Sequence, residues 1–248
     1  MRVALSYASL LKSPLALPET GLGGKLFYAG ELDEAGRALL VAANIAGAAT
    51  LAATADRDAQ KQTLRDRVAD FVVNNLDEAL RILKNQLRKR ETIAVCVTLP
   101  PSEVESEMNE RGVSPDLFRR EVPITPFHKA LLLHQDEETE SDLSKIPAVV
   151  TWRVESSLPK DLAVLDEIAL SCLDAEEWRA RRWLRLSPRY LGRMAHGLRL
   201  LDCNREFAAR FSERVIQFVE RDEIAFAFEI LSDLRGIPDQ FRYAPTKP

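Results

Sequence analysis

The chain has 248 residues, 46% of them hydrophobic and 29% charged, with a formal net charge of −4. That length can bury a core as one domain or two, and the balance is that of a soluble globular protein. It carries no global basic signature for nucleic acid, and no apolar run approaches the ~18 residues of a transmembrane helix. Its three cysteines are widely spaced with no C-x-x-C pair, which argues against a zinc module and a disulfide framework. A reducing cytoplasm is the expected location.

Residues 1–24 read as an N-terminal arm. MRVALSYASLLKSPLAL has the outline of a signal peptide, but Ser6, Tyr7 and Ser9 interrupt its apolar run and Lys12 ends it. Val3 to Leu5 is expected to add an edge strand, and Pro14, Pro18 and the Gly21–Gly24 cluster mark loop. Lys25 to Thr54 is the organising stretch, read as strand, turn, helix, strand. Leu26, Phe27 and Tyr28 suit a buried strand. Gly30 to Gly36 is a turn holding Glu31, Asp33 and Glu34. Arg37 to Ala46 is rich in Ala and Leu, which favour helix, and Gly47 stands where a C-cap belongs. Ala48 to Thr54 is small and apolar, a second strand. A unit of this kind, about thirty residues long, opens a doubly wound sheet.

Asp56 to Arg67 reads as a short polar helix and Asp70 to Asn74 as a third strand. Asn75 is expected to cap a helix from Leu76, with Glu78 at its third position. Leu76, Leu80, Leu83 and Leu87 give that helix one apolar face. Arg88, Lys89 and Arg90 in its last turn are read as complementing the helix dipole rather than contacting nucleic acid. Thr92 to Thr98 is the strongest strand, continuous and β-branched as in the middle of a parallel sheet. Cys96 within it is read as a packing residue, not a nucleophile. After Pro100 and Pro101, Ser102 is expected to cap a helix through Met108 that ends at Arg111 and Gly112, and Val113 to Phe118 is another short strand.

The rhythm then changes. Residues 121–127, EVPITPF, carry two prolines, 136–142, DEETESD, read as a solvated loop, and 147–154, PAVVTWRV, as a strand. From Lys160 helices are expected to dominate. Cys172 falls in the first and Asp174 caps the next. Ser187 and Pro188 start another, with Tyr190, Leu191, Met194, Leu198 and Leu201 on its apolar face. Asn204 opens one more, carrying Phe207, Phe211, Ile216 and Phe218. Residues 222–233 fit strand or helix, and the Pro-rich tail after Gly236 reads as loose. The expected fold is α/β, Rossmann-like: a mostly parallel sheet with flanking helices over residues 22–155, plus a helical C-terminal part. The expected division is 1–157 and 158–248.

Read in order, several pieces between Gly24 and Phe118 resemble the central Rossmann-like domain of urocanase (urocanate hydratase). They are Ala29-Gly30, then Gly36 with a helix ending Ile45-Ala46-Gly47. Asp56, Leu76-Asp77-Glu78-Ala79-Leu80 and Arg111-Gly112-Val113-Ser114-Pro115-Asp116 follow. The family's first turn, of the type AGLGGMGGAQP, holds NAD, which acts as an electrophile on the substrate imidazole. Here GELDEAG replaces it, and only Gly30 and Gly36 match. Where the family has a Glu at the next strand end this chain has Thr54, and Asp56 remains for a ribose hydroxyl. The family's DQTSAHD segment is replaced by RREVPIT, Arg119 to Thr125.

The resemblance therefore implies the fold together with a lost phosphate loop. The function expected is a divergent, non-catalytic binding module or complex subunit, with no cofactor. Its partner would be a second copy or another protein, with no membrane and no nucleic acid. The alternative is a working NAD- or nucleotide-dependent lyase. It would use the crevice at the strand carboxyl ends, with Gly30, Gly36, Thr54, Asp56 and Thr98 as cofactor-binding residues. No metal site is expected. Glu31, Asp33 and Glu34 are hard oxygen donors that could hold a cation, but complementing the dipole at a helix N-terminus is the preferred reading. His128, His134 and His196 show no metal-ligand spacing, and there is no G-x-S-x-G or Walker A sequence. Residues 178–193 interleave six arginines with aromatics, a pattern that can bind single-stranded nucleic acid. With Asp174, Glu176 and Glu177 beside it, an intramolecular or subunit contact is preferred.

Overall fold

Short apolar runs separated by amphipathic helices with short connections fold as parallel strands with helical crossovers. The computed structural model follows that pattern. It describes residues 2–119, 131–133, 148–154, 159–192, 197–203, 205–233 and 238–245. The chain divides into two units, Met1–Asp136 and Glu137–Pro248.

The first unit contains α1 (Arg2–Leu11), β1 (Leu26–Glu31), α2 (Glu34–Ala46), β2 (Ala49–Ala53) and α3 (Arg57–Arg65). These are followed by β3 (Phe71–Val73), α4 (Leu76–Lys89), β4 (Ile93–Val97), α5 (Pro101–Glu110), β5 (Leu117–Arg119) and β6 (Leu131–Leu133). Its sheet has six strands in the order β3-β4-β2-β1-β5-β6, every pairing parallel. All residues of β2 and β4 are buried, as expected of strands covered on both faces. Tyr28, Leu51, Val95 and Phe118 meet Leu76, Leu83, Val104 and Met108 of α4 and α5 on one face. Asn44 of α2 accepts a hydrogen bond from the Thr50 hydroxyl at 3.2 Å, which places α2 over the other face.

Local rules account for most of these elements. The Asn75 side chain accepts from the Glu78 amide at 2.9 Å, and Gly47 closes α2 at φ 99°. Three expectations give way. Val3 to Leu5 lies in α1, not in an edge strand. Ser6, Tyr7, Leu10 and Leu11 are its buried positions, a helical spacing that lays one face against α2. Helix α2 starts at Glu34, three residues before the expected Arg37, because Asp33 caps it. Ser102 lies inside α5, which Pro101 opens with no side-chain cap, since proline at the first position presets the helical φ.

The second unit contains β7 (Ala148–Val154), α6 (Pro159–Ser171), α7 (Trp178–Leu191), β8 (Leu198–Cys203), α8 (Arg205–Glu220), β9 (Phe228–Asp233) and β10 (Pro238–Tyr243). The strands form an antiparallel sheet in the order β10-β9-β7-β8. Residues 148–154, expected in the parallel sheet, are thus part of this second one. The helix expected to start at Ser187 and reach Leu201 is instead the end of α7, which carries Pro188 inside it, followed by β8. The reason is period: Arg199 and Leu201 are buried while Leu198 is exposed, an alternation fixed by pairing with β7. The tail beyond Gly236 is not loose, because residues 238–243 pair with β9. Asp174 does not cap α7, whose N-cap is Glu177. On the buried face Trp152 donates to Asp166 at 3.0 Å and packs on Phe211 with ring centroids 5.0 Å apart.

Candidate functional site at the carboxyl edge of the parallel sheet

In an open parallel sheet, ligands bind beyond the strand carboxyl ends where the strand order reverses. Here the reversal lies at β1, with β2 on one side and β5 on the other. Glu31 ends β1 and Arg119 ends β5. Gly30 sits just inside, at φ 68°, where the β1–β2 register shifts between Tyr28 and Glu31. Only Leu32 and Asp33 separate β1 from α2. That short connection drops the first turn of α2 onto the strand end. A Cβ at Gly36 would come nearer to the Glu31 carbonyl oxygen than the 3.0 Å that real Cβ atoms keep, so only glycine fits.

Asp33 organises this edge. Its Oδ1 accepts from the Gly36 amide at 2.7 Å, and the Ala35 amide also points to the carboxylate. Arg119 donates to Oδ1 at 2.8 Å and to Oδ2 at 3.1 Å, a bidentate pair. The Arg119 side chain is 5% exposed and that of Asp33 48%. Burial works to raise the Asp33 carboxyl, but the bonds from Arg119, Gly36 and Ala35 outweigh it and hold it below the usual range.

The other acids of the turn diverge. Glu31 accepts from the Leu32 amide at 3.0 Å, and exposed Glu34 faces Arg2 at 3.6 Å. Among the described residues no group of His, Cys, Asp or Glu could hold a metal ion. Buried Thr54 accepts from the Asp56 amide at 3.2 Å through its hydroxyl, and from Gln60 at 2.9 Å through its carbonyl. Asp56 accepts from the Asp58 amide at 2.8 Å and so caps α3. The Thr98 hydroxyl donates to Asn74 at 3.2 Å. Gly30, Thr54, Asp56 and Thr98 thus lie along one edge, with Gly36 above it.

Arg119 is the residue that the sequence reading did not single out. It stands 86 positions from Asp33 and has no local signature. Of RREVPIT only this first arginine is described, and His128, His134 and His196 lie outside the described residues. Cys96 is fully buried, and burial with the nearby Glu31 charge pushes its thiol up to about 12, consistent with a packing residue. In α7, Arg181 donates to the Leu170 and Leu173 carbonyls at 3.2 and 2.7 Å, closing the end of α6. Asp174 and Glu177 pair with Arg210 of α8. Among the described residues no helix is long and apolar enough to cross a membrane.

A doubly wound parallel sheet, with two glycines shaping its first strand–helix turn, defines a Rossmann-like domain. The family model for the urocanase Rossmann-like domain matches residues 7–169, and the chain belongs to that family.

Proposed function

We propose that this urocanase-family chain is a binding module or complex subunit that has given up dinucleotide binding at its β1–α2 turn. The observation that carries the reading is the Asp33 carboxylate, held by Arg119 and the amides of Ala35 and Gly36. A pyrophosphate docks on just such free amides at a helix N-terminus. Here a carboxylate of the chain already fills that position, so NAD does not fit the turn. The retained scaffold then serves contact with a second copy or another protein in the cytoplasm.

A second reading keeps catalysis: a nucleotide-dependent lyase working at the strand carboxyl ends. It is favoured by the left-handed φ of Gly30, by the close backbone approach at Gly36 and by the placement of Thr54, Asp56 and Thr98. Calorimetric titration of the purified chain with NAD, with and without magnesium, separates the two. The first reading expects a dissociation constant no tighter than roughly 1 mM, about −4 kcal/mol. Micromolar binding, or loss of urocanate absorbance at ordinary turnover, moves the assignment to the lyase.

A further inference from the structure

The antiparallel sheet of the second unit has one face packed beneath helices and, among the described residues, one face without a helix. Val150, Trp152, Phe228 and Ile230 point to the packed face and are buried. Strand register lines up the other face in rows. One row reads Arg242, Glu229, Arg153, Leu198 across β10, β9, β7 and β8, and the next reads Gln240, Leu231, Thr151, Leu200. All of these residues but Leu200 line a hollow of about 380 Å³.

Charge in the first row is unevenly satisfied. The Glu229 side chain is 7% exposed and is bonded on one oxygen by Arg153 Nε and on the other by Arg242 Nε, both at 2.5 Å. Gln240 donates to it as well. Both its oxygens are engaged, while the two guanidinium groups, on side chains 54% and 68% exposed, line the hollow. One cationic charge is left over. Leu198 and Leu231 bring apolar surface beside it at 46% and 39% exposure. The acids at the register positions of Asp202 and Asp233 lie at the other end of β7, beside Val149.

We infer that this hollow binds a small organic monocarboxylate, its head on Arg153 and Arg242 and its apolar body on Leu198 and Leu231. A single negative charge matches the surplus charge of the row, and a planar carboxylate matches the guanidinium fork. The volume falls in the range usual for a small-molecule site.

Amide-proton NMR of the full chain, titrated with benzoate, its neutral isostere benzamide and inorganic phosphate, tests the inference. Benzoate is expected to shift the amides of Thr151, Leu198, Leu231 and Gln240 saturably, while benzamide leaves them in place. Glu229→Gln removes the competing carboxylate and is expected to tighten benzoate about tenfold. A merely structural ladder would not produce that sign. Leu198→Ser, at a surface position, is expected to weaken benzoate and leave phosphate unchanged, which keeps the test sharp when the Glu229 variant does not fold. The inference is overturned by no shift at about 10 mM benzoate, by equal shifts with benzamide, or by weaker benzoate binding in Glu229→Gln. It is equally overturned by phosphate binding as tightly as benzoate.

Discussion

Arg119, at the end of β5, grips Asp33, at the start of α2, through both terminal nitrogens at 2.8 and 3.1 Å. The pair closes the point where the strand order reverses, joining elements on either side of β1. Because the arginine is buried and the aspartate half exposed, removing the aspartate takes the paired carboxylate from a desolvated cation. The cost is expected to fall below the ~3–5 kcal/mol of a fully buried pair, at about 1–3 kcal/mol. Urea unfolding of Asp33→Asn, Arg119→Met and the double variant measures it. A coupling energy of about 1 kcal/mol or more is expected, and additive effects would show that the two do not act together.

Asp33 and Glu105 titrate in opposite senses. Burial pushes the Glu105 carboxyl up despite the hydrogen bond it accepts from Tyr28 at 3.1 Å, whereas Asp33 is held down. Asp33 contributes stability above its unfolded value of ~3.9, lost as pH falls through the folded one. Glu105 contributes below its unfolded value of ~4.3, and that contribution is lost as pH rises through the folded one. Asp33→Asn should therefore flatten the acid limb of stability against pH. Glu105→Gln should gain on the parent chain as pH rises above ~4.3. Urea midpoints from about pH 3 to 7 read both signs.

Gly36→Ala forces a Cβ onto the Glu31 carbonyl, and backbone cannot swing away as a flexible side chain can. A loss of about 3 kcal/mol or more is expected. Gly112→Ala is the control. At φ +64° with nothing within 4 Å, it meets only conformational strain of about 1–2 kcal/mol. Similar thermal shifts in the two variants would refute the close approach of α2 to β1.

The thiols should be quiet in the folded chain. Burial, first of all, pushes Cys96 and Cys203 up to about 12 and raises Cys172. Ellman's reagent at about pH 8 should react with the native chain at less than about a hundredth of the unfolded rate. All three cysteines should be released in denaturant. Fast native labelling at Cys96 would contradict its packing assignment.

NAD addresses the turn itself. Asp33→Asn keeps an N-cap side chain but removes the anion, leaving Arg119 beside the first turn of α2. Adenosine monophosphate should bind this variant about tenfold tighter than the parent chain, by calorimetry. Equal affinities would show that the carboxylate does not oppose phosphate at this turn.

The sequence by itself determined whatever rests on near neighbours. The Asn75 cap, the αL glycine at 47, the buried run of β4 and the alternation of strand and helix through Phe118 are set by residues within a few positions of one another. Capping bonds and side-chain period act over that range, so they are legible in one dimension. Tertiary structure alone decided what needs a distant partner. Residues 2–11 became helix because α2 offered their apolar face a surface. Leu198 to Cys203 became strand because β7 supplied its ladder, overriding leucine spacings that also fit a helix. The acidic turn, legible as three carboxylates, gained a guanidinium partner for Asp33 only through Arg119, brought from 86 residues away by the crossing of the chain to the far side of β1. Parallel pairing makes that contact, and the fold's strand order, not any local pattern, places the guanidinium there.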